Sequence, residues 1–164
     1  MKLLVLSDSH SSLRFMRKAI EKLKPDWVAH LGDYYENGAA MAEEFPNIPF
    51  YIVPGNCDQY RMSGLEPEIL CPTLAGVRIY MTHGHNHRVK LTLTGLVSDA
   101  KKAEAQVCLY GHTHVADCHI EDGIWVINPG SCGHSGGSVA LLELNQGQVL
   151  GCKILIQAQW EEIE

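Results

Sequence analysis

Apolar and polar positions along the chain change period several times, from strand-like runs to helical spacing and back. "KLLVL" (2–6) is a continuous apolar run, suited to a strand buried on both faces. Behind it Leu13, Met16, Ile20 and Leu23 recur at helical spacing, with Ser11 or Ser12 as a cap and Pro25 as the stop. "WVAHL" (27–31) predicts a second strand, the stretch from about Gly38 to Phe45 a short helix, and "FYIV" (50–53) a third strand. This βαβαβ start predicts a parallel sheet with right-handed crossovers.

The second half has a different texture. "EILCPTLAGVRIYMTHG" (68–84) reads as two strands turning at Ala75-Gly76. A long helix is expected from about Val89 to Ala105, with Val89, Leu93, Leu96, Val97, Ala100 and Ala103 on one face; the "TLT" alternation (92–94) competes with it. Then come "VCLY" (107–110), "DCHI" (117–120), "IWVI" (124–127) and a final pair, "SVALLEL" (138–144) and "QVLGCKILI" (148–156), joined at Asn145-Gln146-Gly147. Late strands of this kind predict a second, mixed or antiparallel sheet packed on the first. The expected fold is therefore α/β, two packed β-sheets flanked by helices, in a single domain spanning residues 1–164.

Composition narrows the class. A chain of 164 residues with 46% apolar and 20% charged positions can bury a real core. A net charge of −6 gives no electrostatic footprint for a nucleic-acid backbone or an anionic membrane, so neither is an expected partner. The apolar run near the N-terminus is broken by Ser7 and Asp8, and no stretch reaches the roughly 18 apolar residues of a membrane helix, so the chain reads as cytoplasmic. Six cysteines (57, 71, 108, 118, 132, 152) form no CxxC pair and are expected as free thiols, those at 108 and 118 within strands. Apolar late strands leave room for a homo-oligomer built by edge pairing.

The polar residues follow the strand ends. Asp8 and His10 follow the first strand, Asp33 the second and Asn56 the third; His83 follows "VRIYM", and His112 and His114 follow "VCLY". In open α/β sheets the carboxyl ends of parallel strands gather at one edge, so residues far apart in sequence can converge there. Two Asp, four His and one Asn offer oxygen and nitrogen donors without a thiolate. That set suits Mn, Fe, Zn, Ni or Co better than Mg or Ca alone. A carboxylate can bridge two cations, and two metals roughly 3.5–4 Å apart clamp an in-line displacement at phosphorus. Glycines at 32, 55, 84 and 111 would let the backbone turn beside each ligand.

Taken singly, each residue has an ordinary explanation. Asp8 could cap the first helix, Asp33 and Asn56 could be turn residues, and a lone His83 or His112 could be structural. His30 reads as a core or supporting histidine, His119 as exposed, "NPGS" (128–131) as a Pro-Gly turn, and His134 as a loop residue that could face substrate.

Taken together, "DSH" (8–10), "GD" (32–33), "GNCD" (55–58), "THGH" (82–85) and "GHTH" (111–114) resemble, in order, the motifs of the calcineurin-like metallophosphoesterases, in particular the small YfcE-type phosphodiesterases. The resemblance implies two divalent metal ions, with manganese the first expectation. One would be held by Asp8, His10, Asp33 and His114 and the other by Asp33, Asn56, His83 and His112, with Asp33 as the bridge. It implies hydrolysis of a small phosphate ester, a diester, by a hydroxide held between the metals, and gives "NPGS" a role supporting the site. The catalytic candidates are Asn56 and His85. Many relatives carry a His where this chain has Cys57, and a thiol is a poorer proton donor near neutral pH; its loss costs on the order of 10²–10⁴ in rate for poor leaving groups. Asp58 would then order the loop. The rival expectations are a nuclease, disfavoured by the acidic charge, and a protein-binding scaffold like the retromer subunit of this fold, whose metal set is incomplete.

Overall fold

The computed structural model describes residues 1–60, 62–133 and 136–161, the last without its side chain, so His134 lies outside the described residues. The first half runs β1 (Lys2–Leu6), α1 (Leu13–Leu23), β2 (Trp27–His30), α2 (Tyr35–Glu44), β3 (Phe50–Ile52) and a 3-10 turn at Asn56–Asp58. Next come β4 (Ile69–Leu70), β5 (Thr73–Leu74), β6 (Val77–Thr82), a 3-10 turn at His85–His87, and α3 (Thr94–Lys102). The remainder is β7 (Val107–Leu109), β8 (Asp117–Glu121), β9 (Ile124–Asn128), β10 (Ser138–Asn145), β11 (Gln148–Ile156) and α4 (Gln157–Glu161).

Two mixed sheets face each other. One has the order β11-β10-β1-β2-β3 and the other β4-β6-β7-β9-β8, with β5 also paired to β6. β1, β2 and β3 run parallel, as do β6, β7 and β9. Leu3, Val5 and Ala29 of one sheet and Val77, Ile79, Val107 and Leu109 of the other share the central core. Outside the first sheet, α1 turns Met16, Ala19, Ile20 and Leu23 onto Leu4, Leu6 and Val28. Outside the second, α3 sets Leu96, Val97 and Ala100 against Cys108 and Val126. The expected α/β arrangement of two packed sheets flanked by helices is present. Among the described residues no helix is long and apolar enough to cross a membrane.

Two features correct the reading of the sequence, and a third was not anticipated by it. The final hairpin joins the first sheet, where β10 pairs antiparallel with β1 (Leu4↔Leu141). The reason lies in its own residues: Val139 and Leu141 meet the α1 layer while Ala140, Leu142 and Leu144 meet the inter-sheet core, so both faces need cover that an interior position supplies. The long helix starts at Thr94, not Val89. Gly84 and Arg88 both adopt positive φ, Val89 tucks against Gly84, and the Thr92 hydroxyl accepts the Thr94 N–H (3.2 Å), an alternative to helix that holds 89–93 in turns. Finally, the short C-terminal α4 buries Trp160 completely, edge-on to Phe15 at 5.3 Å between ring centroids. The turn at Ala75-Gly76 and the one at Gln146-Gly147 lie where expected, each with positive φ at both residues, the form whose twist matches a two-residue hairpin.

Candidate metal centre

The parallel strands of both sheets end at the same edge, and the loops leaving them extend the sheet ladders rather than diverging. Leu31 N–H donates to Leu6 (2.8 Å), Asp8 N–H to Gly32 (3.0 Å), Gly111 N–H to His83 (3.0 Å) and Cys132 N–H to Ser7 (3.1 Å). The Asp8 and Asp33 loops are thus bonded to one another, and so are the His83 and His112 loops.

His83 joins the two halves. Its Nδ1 lies 2.6 Å from the Leu31 carbonyl of the facing sheet, a distance that requires Nδ1–H as donor. That leaves Nε2 looking at oxygens alone: Asn56 Oδ1 at 3.1 Å, Asp33 Oδ1 at 3.5 Å and Asp8 Oδ1 at 4.0 Å. A neutral imidazole donates from one nitrogen only, so a lone pair meets oxygen acceptors unless a positive charge stands among them. Asp8 shows the same demand. Its Oδ2 accepts the Ser7 hydroxyl (2.6 Å) and the His112 N–H (3.2 Å), while Oδ1 is buried, receives no hydrogen bond and faces His114 Nε2 at 3.1 Å. Buried oxygens are rarely left in this state.

Donor atoms of Asp8, His10 and His114 lie within 4.8 Å of one another, as do those of Asp8, Asp33 and His83. Two adjoining donor groups sharing a carboxylate suit a pair of divalent cations. The carboxylate common to both groupings is Asp8, whereas the family resemblance puts the shared one at Asp33. The His112 ring stands 5.1 Å from that of His83, and His10 stands 5.2 Å from His114. All seven expected ligands are gathered at this edge.

Electrostatics keeps two of the donors, Asp33 and His112, in ligand form. Burial works against the Asp33 carboxylate, but His83 and the Cys57 N–H (2.9 Å) outweigh it, and its pKa falls below the ordinary value. Burial, then the neighbouring His83, lowers His112 to about 4. Cys57 is pushed up to about 11, by burial first and then by Asp33, so it stays a thiol near neutral pH. His85 lies 5.4 Å from His83 and 6.2 Å from His112, and neither of its shielded ring nitrogens has a hydrogen-bond partner.

Several residues besides the ligands shape the site. Asp8, His10, Asp33, His112 and His114 all adopt positive φ, between 42° and 66°. Asp and His tolerate that region better than most residues, and backbone held there marks a site where neighbours over-determine the geometry. Asp58 is a clamp: Oδ1 accepts the N–H groups of Tyr34 (2.9 Å) and Tyr35 (3.0 Å) and Oδ2 that of Gly55 (2.8 Å), tying the Asn56 loop to the Asp33 loop at the start of α2. Asn128 opens "NPGS" and bonds Gly111 O and the Thr113 hydroxyl, both at 3.0 Å, while Ser131 donates to Asp8 O at 2.8 Å, so this segment does support the site. His30 is fully buried, with Nε2 3.2 Å from Ser9 Oγ. Gly55 and Gly111 serve close approach rather than turning, since a Cβ at Gly55 would strike the Asp33 carboxylate and one at Gly111 the Ser7 hydroxyl. Away from the edge, His119 is only partly exposed, its Nδ1 2.8 Å from Asp117 Oδ2.

Comparison with known proteins places this edge in a family. Residues 1–147 match the calcineurin-like phosphoesterase superfamily domain. The chain belongs to that superfamily. Among its relatives is a probable metallophosphoesterase, YsnB of Bacillus subtilis, 33% identical over 135 residues that cover 80% of this chain and 75% of YsnB. Another is the phosphodiesterase MJ0936 of Methanocaldococcus jannaschii, 31% identical, covering 80% of this chain and 84% of the relative. The crystal structure of a predicted phosphoesterase from Streptococcus pneumoniae superposes with a TM-score of 0.79 at 28% identity, covering 96% of this chain and 90% of the other. Vps29 of Entamoeba histolytica, solved with Zn²⁺, shares the fold with a TM-score of 0.66 at 20% identity, covering 95% and 99%.

Proposed function

We infer that this chain is a dinuclear-metal phosphodiesterase acting on small phosphate esters. The observation that carries the reading is the buried meeting of His83 Nε2 with oxygens of Asn56, Asp33 and Asp8, beside an Asp8 oxygen that receives no hydrogen bond. The phosphodiesterase MJ0936 supports it among the relatives.

Asp8, His10, Asp33 and His114 would hold one cation, and Asp33, Asn56, His83 and His112 the other. Two bound divalent cations polarise a phosphate ester and lower the pKa of water, with manganese the first expectation and Fe, Zn, Ni or Co compatible with the donors. The chain supplies everything else. Leu31 O fixes the His83 tautomer, so its Nε2 would be the ligating nitrogen. The Cys57 N–H orients the Asp33 carboxylate. His85 offers two unpartnered ring nitrogens, for a hydrogen bond to a substrate oxygen or for delivering a proton to the departing alkoxide oxygen. Cys57 keeps its proton and does not replace an imidazolium, so good leaving groups are the preferred ones.

Hydrolysis of bis(p-nitrophenyl) phosphate with added Mn²⁺ tests this against Asn56→Ala and His112→Ala. The reading expects a loss of at least a hundredfold in either variant. Equal rates in wild type and variants would favour the second reading, a scaffold of the same fold, for which the thiol at Cys57 and the likeness to Vps29 speak.

A further inference from the structure

Ser9 stands between two expected ligands, Asp8 and His10, yet its hydroxyl serves the neighbouring loop, where it donates to the Asp33 carbonyl at 3.4 Å. The bond continues a ladder. Beyond β1 and β2 the two segments are joined by Leu31 N–H to Leu6 O and by Asp8 N–H to Gly32 O. At Asp33 the backbone turns to a φ of 53°, and the next rung is made by a side chain instead.

His30, the last residue of β2, sets the direction of that rung. The Gly32 N–H donates to its Nδ1 at 3.4 Å, and a backbone N–H can only donate, so Nδ1 carries the lone pair. A neutral imidazole then has its proton on Nε2, which meets Ser9 Oγ at 3.2 Å. With Ser9 Oγ accepting from the ring, its own proton is left for Asp33 O. Ser9 and His30 are both fully buried, so water does not compete for these bonds.

The seat of the ring is built from its far side. Gly38 lies inside α2, where glycine weakens a helix, and it is not among the glycines of positive φ. Close packing explains it: a Cβ at 38 would come within 3.1 Å of His30 Cβ and Cγ. The helix therefore carries an unfavourable residue where the imidazole needs the space.

We propose that His30 and Ser9 are positioning residues for the cation site formed by Asp8, His10, Asp33 and His114, their relay setting the spacing of the two loops that carry Asp8, His10 and Asp33. The assignment rests on the dinuclear reading of the centre. Neither residue offers an atom to metal or substrate. The relay makes no bond to Asn56, His83 or His112, which complete the other site with Asp33, so its loss weakens one cation selectively.

Two measurements on the full chain test it. In a two-bond ¹H–¹⁵N spectrum of the metal-free protein near pH 7, His30 is expected with Nε2 protonated and Nδ1 bare; the opposite tautomer overturns the proposal. In the second, Mn²⁺ is titrated into the metal-free wild type and the Ser9→Ala, His30→Leu and His30→Gln variants, followed by calorimetry and by the spin-coupled signal of a manganese pair. Ser9→Ala and His30→Leu are each expected to weaken one of two cations by about tenfold or more, with the other changed less than about threefold and the coupled signal lost where wild type shows it. His30→Gln returns an N–H donor to Ser9 and is expected to restore the pair. Unchanged binding in Ser9→Ala, equal weakening of both cations, or a His30→Gln variant as weak as His30→Leu overturns the proposal; should His30→Leu fail to fold, Ser9→Ala decides. Anomalous scattering from Ser9→Ala crystals with one site filled is expected to show the peak beside His83 and His112, and a lone peak beside His10 and His114 overturns the assignment. A wild type that binds a single Mn²⁺ overturns the dinuclear reading and this proposal with it, whereas a coupled pair unaffected by the variants overturns the proposal alone.

Discussion

Replacing Asp58 by Ala should unfasten the centre without touching a single ligand. The carboxylate is 2% exposed and holds three backbone N–H groups, at 2.9, 3.0 and 2.8 Å. The Gly55 N–H is buried and would be stranded, which costs about 1–3 kcal/mol. The Tyr34 and Tyr35 N–H groups are partly buried, so water replaces their acceptor in part, at about 0.5–1 kcal/mol each. The expected loss is about 3 kcal/mol, or a fall in Tm of roughly 6–12 °C for a chain of this size. Because the same bonds set the Asn56 loop against the Asp33 loop, affinity for Mn²⁺ should also fall by about tenfold or more, as it does when groups orienting a ligand are removed. Urea unfolding gives the first quantity and calorimetric titration of the metal-free protein gives the second. A variant less than about 1 kcal/mol weaker with unchanged Mn²⁺ affinity would refute the clamp.

Three other perturbations probe neighbouring parts of the argument. His30 is buried and neutral, with burial and then His83 lowering its pKa to about 4 against an ordinary 6.5. Above pH 6.5 its contribution is complete; as pH falls from 6.5 toward 4 the unfolded chain takes up a proton that the fold refuses, and stability drops by about 3 kcal/mol across that window. An NMR titration placing the His30 midpoint near 6.5 would contradict this. Asn128→Ala removes three bonds around a fully buried amide and should cost about 2–4 kcal/mol and weaken Mn²⁺ binding, because Gly111 O and the Gly130 N–H lose their partners; thermal and urea unfolding with metal titration measure both. Trp160→Ala should cost about 3–5 kcal/mol, since the indole is fully buried and packs edge-on against Phe15 of α1; a loss under about 1 kcal/mol in urea unfolding would argue otherwise.

The candidate ligands could be read from the sequence because they obey a geometric rule: a polar residue just past an apolar run lies at a strand's carboxyl end, and parallel strands bring those ends together. Asp8, Asp33, Asn56, His83 and His112 all follow it. What holds them was less accessible. Asp58 sits in the same motif as Asn56, yet its bonds to Tyr34 and Tyr35 reach back 24 and 23 residues, and nothing local announces them. Asn128 reads as a turn residue until the Gly111 carbonyl is seen beside it. Element ends were lost for a related reason. Residues 89–93 keep helical spacing, but a positive φ at Arg88 and the hydroxyl of Thr92 decide their backbone. The final hairpin was misplaced because an apolar run shows that a strand is buried without showing between which neighbours. Its pairing with β1 follows from layers on both sides, a property of the assembled fold.

Anomalous scattering from crystals grown with Mn²⁺ tests the central claim most directly. The account predicts two peaks at the shared edge, one within reach of Asp8, His10, Asp33 and His114 and the other within reach of Asp33, Asn56, His83 and His112. A single peak, or peaks that leave His112 and His114 without a metal contact, would contradict it.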